Sequence, residues 1–137
     1  MLRLDYKTVK DNVLANVIPY IEHLDEKEIA MHLMVLDLTL STTNMYAWSN
    51  ATLTVAGVSI LTNVIHLNPA VGYTAIGLGL LNIGICLRER CVLKKLMKTL
   101  STWLKVLGYK RTDIEKLASQ VTDEELIEFI KNSAYYL

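Results

Sequence analysis

The run "LTLSTTNMYAWSNATLTVAGVSILTNVIHLNPAVGYTAIGLGLLNIGICL", residues 38–87, holds fifty consecutive positions without a lysine, arginine, aspartate or glutamate. His66 is its one side chain able to carry a positive charge near neutrality. Two environments accept such a stretch: a core closed on all sides, or the hydrocarbon of a bilayer. Every other segment must be arranged around that choice.

The chain has 137 residues, which makes a single domain with a real core the default. It is read as three parts of one helical domain: amphipathic helices over 1–40, a hydrophobic hairpin over 46–87, and a basic helix with short helices over 88–137. Net charge is zero, but residues 1–37 carry four basic and seven acidic side chains against ten and seven in 88–137. Between Arg88 and Arg111 there are eight basic residues and one acid, Glu89. The opening "MLRLDYKTVKDN" is too polar for the apolar core of a signal peptide. Cys86 and Cys91 match no metal or redox spacing and read as free thiols of a reducing compartment. The triplet Asn50-Ala51-Thr52 fits glycosylation but carries no weight without a secretory signal.

The pattern is helical. Tyr6, Val9, Val13, Leu14, Val17 and Ile18 share one face of a helix over 5–18, which Pro19 ends or kinks. Asp25 with Glu28 has the capping-box form, and Ile29, Leu33, Leu36 and Leu40 repeat behind it. "STTNMYAWSN" at 41–50 predicts a turn, because its hydroxyl and amide groups compete for backbone hydrogen bonds. Asn68-Pro69 separates two arms, 51–67 and 70–87, as a helical hairpin. The β-branched residues of the first arm also suit a strand, but arm length and the Gly-Leu-Gly-Leu-Leu run favour helix. Leu93, Leu96, Met97, Leu100, Leu104 and Leu107 then form a stripe that Gly108 closes. Thr112 with Glu115, and Thr122 with Glu125, predict two short capped helices. The expectation is an all-α, multi-helix bundle of about six or seven helices around a central hydrophobic helical hairpin.

The arms have membrane dimensions. Extended back to Tyr46, the first spans about 33 Å, and the second about 27 Å, against a hydrocarbon core of about 30 Å. Tyr46 and Trp48 then fall where interfacial aromatics sit, and Arg88, Arg90, Lys94, Lys95 and Lys98 mark a cytoplasmic flank. Helix 92–107 is expected to lie in the interface, its leucines and Trp103 toward lipid and Lys105 with the other lysines toward water. Ala75 and Gly79 form a small-xxx-small pair for close helix packing. Thr52, Thr54, Ser59, Thr62, Asn63, His66 and Asn82 make the arms less apolar than a simple anchor. That favours two alternatives: a soluble bundle burying the hairpin, or a bundle that releases it into a bilayer.

No catalytic constellation emerges. His23 and His32 stand nine apart, on opposite sides of one helix, and read as solvated or capping histidines in preference to metal ligands. Asp37 interrupts an apolar helix and is expected to face water or a basic residue of 88–111. The glycines lie in an apolar run without the Lys-Ser/Thr ending of a phosphate loop. No enzyme, cofactor, metal site or small-molecule substrate is therefore expected. The basic run suits lipid headgroups or a partner protein better than nucleic acid, since its leucine face demands burial.

The tail "WLKVLGYKRTDIEKLASQVTDEELIEFIKN" resembles the helix–Gly-aromatic–helix–helix plan of ubiquitin-associated domains. Leu107-Gly108-Tyr109, Ile114 and Leu117, and Leu126 and Ile130 carry the resemblance over about thirty residues, and no binding role follows from it. The reading is a non-enzymatic membrane-inserting hairpin protein, oligomeric, with both termini cytoplasmic: a channel, holin-like or membrane-remodelling component. The alternative is a soluble interaction or structural module, in the cytoplasm or inside an assembly. Viral internal proteins and apoptosis-regulating bundles show such hairpins in soluble form, although the Asn-Trp-Gly-Arg signature of the latter is absent.

Overall fold

The computed structural model describes residues 5–132; residues 1–4 and 133–137, and with them any reading of the chain ends, lie outside the described residues. All regular structure there is helical. In order come α1 (Tyr6–Asn12), a π-helical turn (Val13–Val17), a 3₁₀ segment (Ile18–His23), α2 (Glu26–Leu61), α3 (Pro69–Val106), α4 (Arg111–Gln120) and α5 (Asp123–Asn132). The all-α class stands, but with five α-helices among the described residues, fewer than expected from the sequence.

The difference comes from two breaks that do not occur. The segment 41–50 is helical throughout, inside the 36-residue α2. Its polar side chains turn back onto the helix instead of competing with it: Ser49 Oγ donates to the Met45 carbonyl at 3.0 Å and Asn50 Nδ2 to that of Tyr46 at 2.8 Å. Likewise the apolar arm 70–87 and the basic helix beyond Arg88 are one 38-residue helix, α3. Charge changes there, but nothing in the backbone stops.

The chain divides into two compact units, Met1–Leu40 with Val92–Leu137, and Ser41–Cys91. The first has a conventional core. Val9, Val13, Val17 and Ile21 pack with Ile29, Val35 and Leu36 of α2, Leu93, Leu96, Leu100 and Leu104 of α3, and Val121, Leu126 and Ile130. A spacing of four drifts off one face of a regular α-helix, whose turn takes 3.6 residues. The wider π turn over 13–17 offsets that drift and keeps Val9, Val13 and Val17 buried. It also leaves Leu14, expected on that face, 49% exposed. Pro19 falls in the 3₁₀ segment, and Tyr20 leaves helical geometry (φ −113°, ψ 15°), the expected break.

Caps follow the local chemistry. Asp5 accepts from Thr8 N at 3.3 Å, and Thr122 Oγ1 accepts from Glu125 N at 3.2 Å, as its spacing predicts. The cap of α4 lies two residues earlier than Thr112: Asp113 Oδ2 accepts from Lys110 N at 3.1 Å. Gly108 takes φ +98°, the left-handed position that ends α3. The Tyr109 hydroxyl beyond it bonds Glu26, which holds its pKa up to about 12. Leu126 and Ile130 of the tail are buried and Leu117 is half-buried.

Candidate functional site: an uncharged helical hairpin

The unit Ser41–Cys91 is a hairpin of the second half of α2 and the first part of α3. Its turn begins earlier than the sequence predicts: α2 ends at Leu61, six residues short of the expected arm end at 67. The first arm is therefore helical from Tyr46 over about 24 Å and not about 33 Å, while Asn68-Pro69 opens the second arm as expected. Asn63 takes the left-handed φ of 59°, which asparagine tolerates. Asn68 Oδ1 accepts from Ala70 N at 3.0 Å, and Pro69 opens α3 where its missing N–H matters least.

What lies between the arms is mostly small or polar, with buried Ile60 and half-buried Ile76 packed against the glycines near the turn. On α3, Gly72, Gly79 and Cys86 recur every seven residues and are buried. On α2, Thr43 and Gly57 are buried with Asn50 half-buried between them, at the same spacing. A methyl group on Gly57 would lie 2.7 Å from both the Gly72 carbonyl oxygen and Ile76 Cγ1. One on Gly79 would collide with Thr54 Oγ1 and come within 2.9 Å of the Asn50 carbonyl oxygen. The backbones therefore approach as closely as glycine permits. Asn82 Nδ2 donates to Asn50 Oδ1 at 3.2 Å across the seam.

What lies outside is large and apolar. Trp48 is 77% exposed, Val55 64%, Tyr73 67% and Leu81 62%. Val58, Val71, Leu78, Leu80, Ile85 and Leu87 are exposed too. This inverts the first unit, where leucine and valine are inside and lysine and glutamate outside. Among the described residues one helix, Pro69–Val106, is long and apolar enough to cross a membrane, and only 11% of its most apolar window is buried. A core helix of a soluble bundle would be mostly buried. The first arm's hydroxyls are satisfied within α2: Thr52 Oγ1 donates to the Trp48 carbonyl at 3.1 Å, Thr54 to Asn50 at 2.9 Å, Ser59 to Val55 at 2.9 Å and Thr62 to Val58 at 2.9 Å. Such bonds lower the penalty of taking these groups out of water.

The residues singled out in the sequence fall as follows. Arg88, Arg90, Lys94, Lys95, Lys98 and Lys105 are exposed. Tyr46 is 56% exposed, beside Trp48 on the same arm. Gly79 is in the seam, whereas Ala75 is half-buried and lines a shallow apolar groove with Leu53, Val71 and Leu78. Trp103 is half-buried against the first unit's core. The leucine stripe is not free for lipid: Leu93, Leu96, Leu100 and Leu104 fill that core, and only Leu107, 51% exposed, lies outside it. Sequence reasoning misses Gly57, Gly72, Asn50 and Asn82 as seam residues. The seven-residue spacing of Gly72 with Gly79, and of Asn50 with Gly57, is the signal that could have found them.

Among the described residues no group of three or more His, Cys, Asp or Glu is placed to hold a metal ion. His32, expected from the sequence to be solvated or a cap and to share a helix with His23, is instead a buried residue of α2. Its ring is edge-on to Phe129 at 4.9 Å and 75°, and burial lowers its pKa to about 4. His23 and Asp37 are exposed, Asp37 as expected. Compared with family models, curated proteins and solved structures, the chain matches none.

Proposed function

We propose that this chain is a non-enzymatic membrane-inserting protein whose uncharged hairpin spans the bilayer and holds a water-exposed helical unit at its surface. One observation carries the reading: in Ser41–Cys91 small and hydrogen-bonded residues line most of the seam, with Ile60 its one buried large apolar residue among those described, while most large apolar side chains are outside. Water favours the reverse, whereas in lipid, which is as apolar as leucine, helices associate through close backbone packing and interhelical hydrogen bonds. The uncharged part of α3, residues 69–87, measures about 28 Å, close to a hydrocarbon thickness of about 30 Å. Tyr46 and Trp48 serve as interfacial aromatics, and Arg88, Arg90, Lys94, Lys95 and Lys98 set their flank, with both termini, on the cytoplasmic side. Oligomers of such hairpins line pores or deform bilayers, which is the activity class the reading points to.

A second reading rests on Ser41, Thr42, Ser49 and Thr52, exposed polar residues that make α2 the less apolar arm. In it, other copies cover the hairpin within a soluble assembly. Fractionation of the untagged protein with carbonate washing, combined with thiol labelling of an Asn63→Cys variant in which Cys86 and Cys91 are replaced by alanine, separates the two. Retention in washed membranes, with the thiol introduced at the hairpin turn labelled only from the far side, supports the span. A monodisperse oligomer in the supernatant overturns it.

A further inference from the structure

At the Cys91 end of the hairpin unit, α2 and α3 leave an open groove lined by Asn44, Trp48, Ala51, Ile83, Leu87 and Arg90. Its composition is graded along the helices. Asn44 and Arg90 stand at one end, and Ala51 and Ile83, each seven residues away, lie about 10 Å further into the uncharged stretch. Small Ala51 opens the space, and Trp48, Ile83 and Leu87 make its walls apolar. The volume is about 240 Å³.

Charge selects the occupant. Arg90 is exposed and enters no ion pair with a described residue. Around this end α3 carries Arg88, Arg90, Lys94 and Lys95 against Glu89, and α2 carries Asp37 seven residues before Asn44, so basic side chains outnumber acids four to two and this end of the hairpin attracts anions. A free inorganic anion needs no apolar wall. An amphiphile with a negative head and a hydrocarbon tail uses both ends of the groove. We propose that the groove binds an anionic phospholipid, its phosphate on the Arg90 guanidinium and the Asn44 amide and an acyl chain along Trp48, Ile83 and Leu87. The guanidinium presents paired donors matched to two phosphate oxygens, and the indole is an amphipathic wall at headgroup depth. This rests on the hairpin spanning a bilayer, and it adds a lipid preference that spanning alone does not require.

Trp48 reports on the site directly. With Trp103→Phe it is the sole tryptophan, and its fluorescence is followed in vesicles with brominated acyl chains on either phosphatidylcholine or phosphatidylglycerol. Quenching by the brominated phosphatidylglycerol is expected at about fivefold lower mole fraction, the scale of one arginine beside an anionic lipid. Arg90→Gln should remove that preference, and Lys98→Gln, outside the groove, should keep it. Equal quenching by both lipids, or equal loss in the two variants, overturns the groove site while leaving the span intact. No quenching by either lipid overturns the span and the site together. Should Trp103→Phe unfold the helical unit, the difference between the wild-type chain and Trp48→Phe gives the same signal.

Discussion

Asn82 reaches across the hairpin and donates from Nδ2 to Oδ1 of Asn50 at 3.2 Å, while Asn50 Nδ2 donates to the Tyr46 carbonyl at 2.8 Å. Two amides are thus chained inside a segment with no charged residue. In lipid the alternative to this bond is a polar group facing hydrocarbon. Asn50→Leu and Asn82→Leu should each loosen the hairpin, and the double variant should lose less than the sum. A coupling of about 0.6–2 kcal/mol is the range for interhelical hydrogen bonds in membranes. A double-mutant cycle of thermal unfolding in detergent measures it, and strict additivity would show that the contact carries no stability.

The glycines divide into two classes. Gly57, Gly72 and Gly79 face a neighbouring backbone or side chain within 3.0 Å of an added methyl, whereas Gly77 and Gly84 have nothing within 4 Å. Gly79→Leu should therefore cost about 1–3 kcal/mol through overpacking. Gly77→Ala should stabilise, because alanine gains about 1 kcal/mol over glycine in a helix interior. Opposite shifts of melting temperature in one detergent are the expected result. Shifts of the same sign would mean that the arms do not pack through this seam.

His32 makes the helical unit sensitive to acid. Burial holds its pKa near 4 against an ordinary value of 6.5, so the folded state keeps the ring neutral. The unfolded chain binds the proton first as pH falls. The stabilising contribution is therefore complete above about pH 6.5 and is lost between there and about pH 4, up to about 3 kcal/mol. Urea unfolding between pH 7 and 5, above the range of most carboxylates, isolates the effect. His32→Leu should flatten the profile in that window; an unchanged slope would mean His32 is solvated.

The leucines of α3 give a test that does not depend on a membrane. Leu100 is fully buried with Leu93 and Leu104 in the first unit's core. Leu100→Ala should destabilise that unit by about 2–5 kcal/mol. Lys98→Ala, two residues away and exposed, should stay within about 0.5 kcal/mol. Tolerance of Leu100→Ala would return the stripe to the lipid interface, where its periodicity alone would place it.

Much of this is legible in the residues. The helical class, the Asn68-Pro69 turn, the stop at Gly108 and the cap at Thr122 each follow from local chemistry that tertiary packing does not override. The turn expected at 41–50 fails because hydroxyl and amide groups compete with a helix only when they do not bond its own carbonyls. Ser49 and Asn50 do bond them. The leucine stripe is real, but periodicity states that a face is covered and not by what. It takes Val9, Val13 and Ile29 beside it to show that protein covers it. Ala75 and Gly79 are legible as a sequence motif, but Gly72, seven residues before Gly79, is not, because the seam follows a seven-residue period that a four-residue motif does not show.

The environment of the hairpin's outer face decides between the two functional readings, and a single charge probes it. Leu81 is 62% exposed and lies in the uncharged part of α3. In water, lysine at so exposed a position changes stability by no more than about 0.5 kcal/mol. In the middle of a bilayer it costs about 2.5–3.5 kcal/mol on insertion scales. Leu81→Lys should therefore lower the membrane-inserted fraction sharply, read by carbonate resistance, while Leu107→Lys, beyond the hairpin at a position 51% exposed, should not. Equal insertion of both variants would put Leu81 outside the hydrocarbon and overturn a span formed by residues 69–87. Loss of solubility by Leu81→Lys in a chain that never reaches membranes would instead place a second copy of the protein on that face.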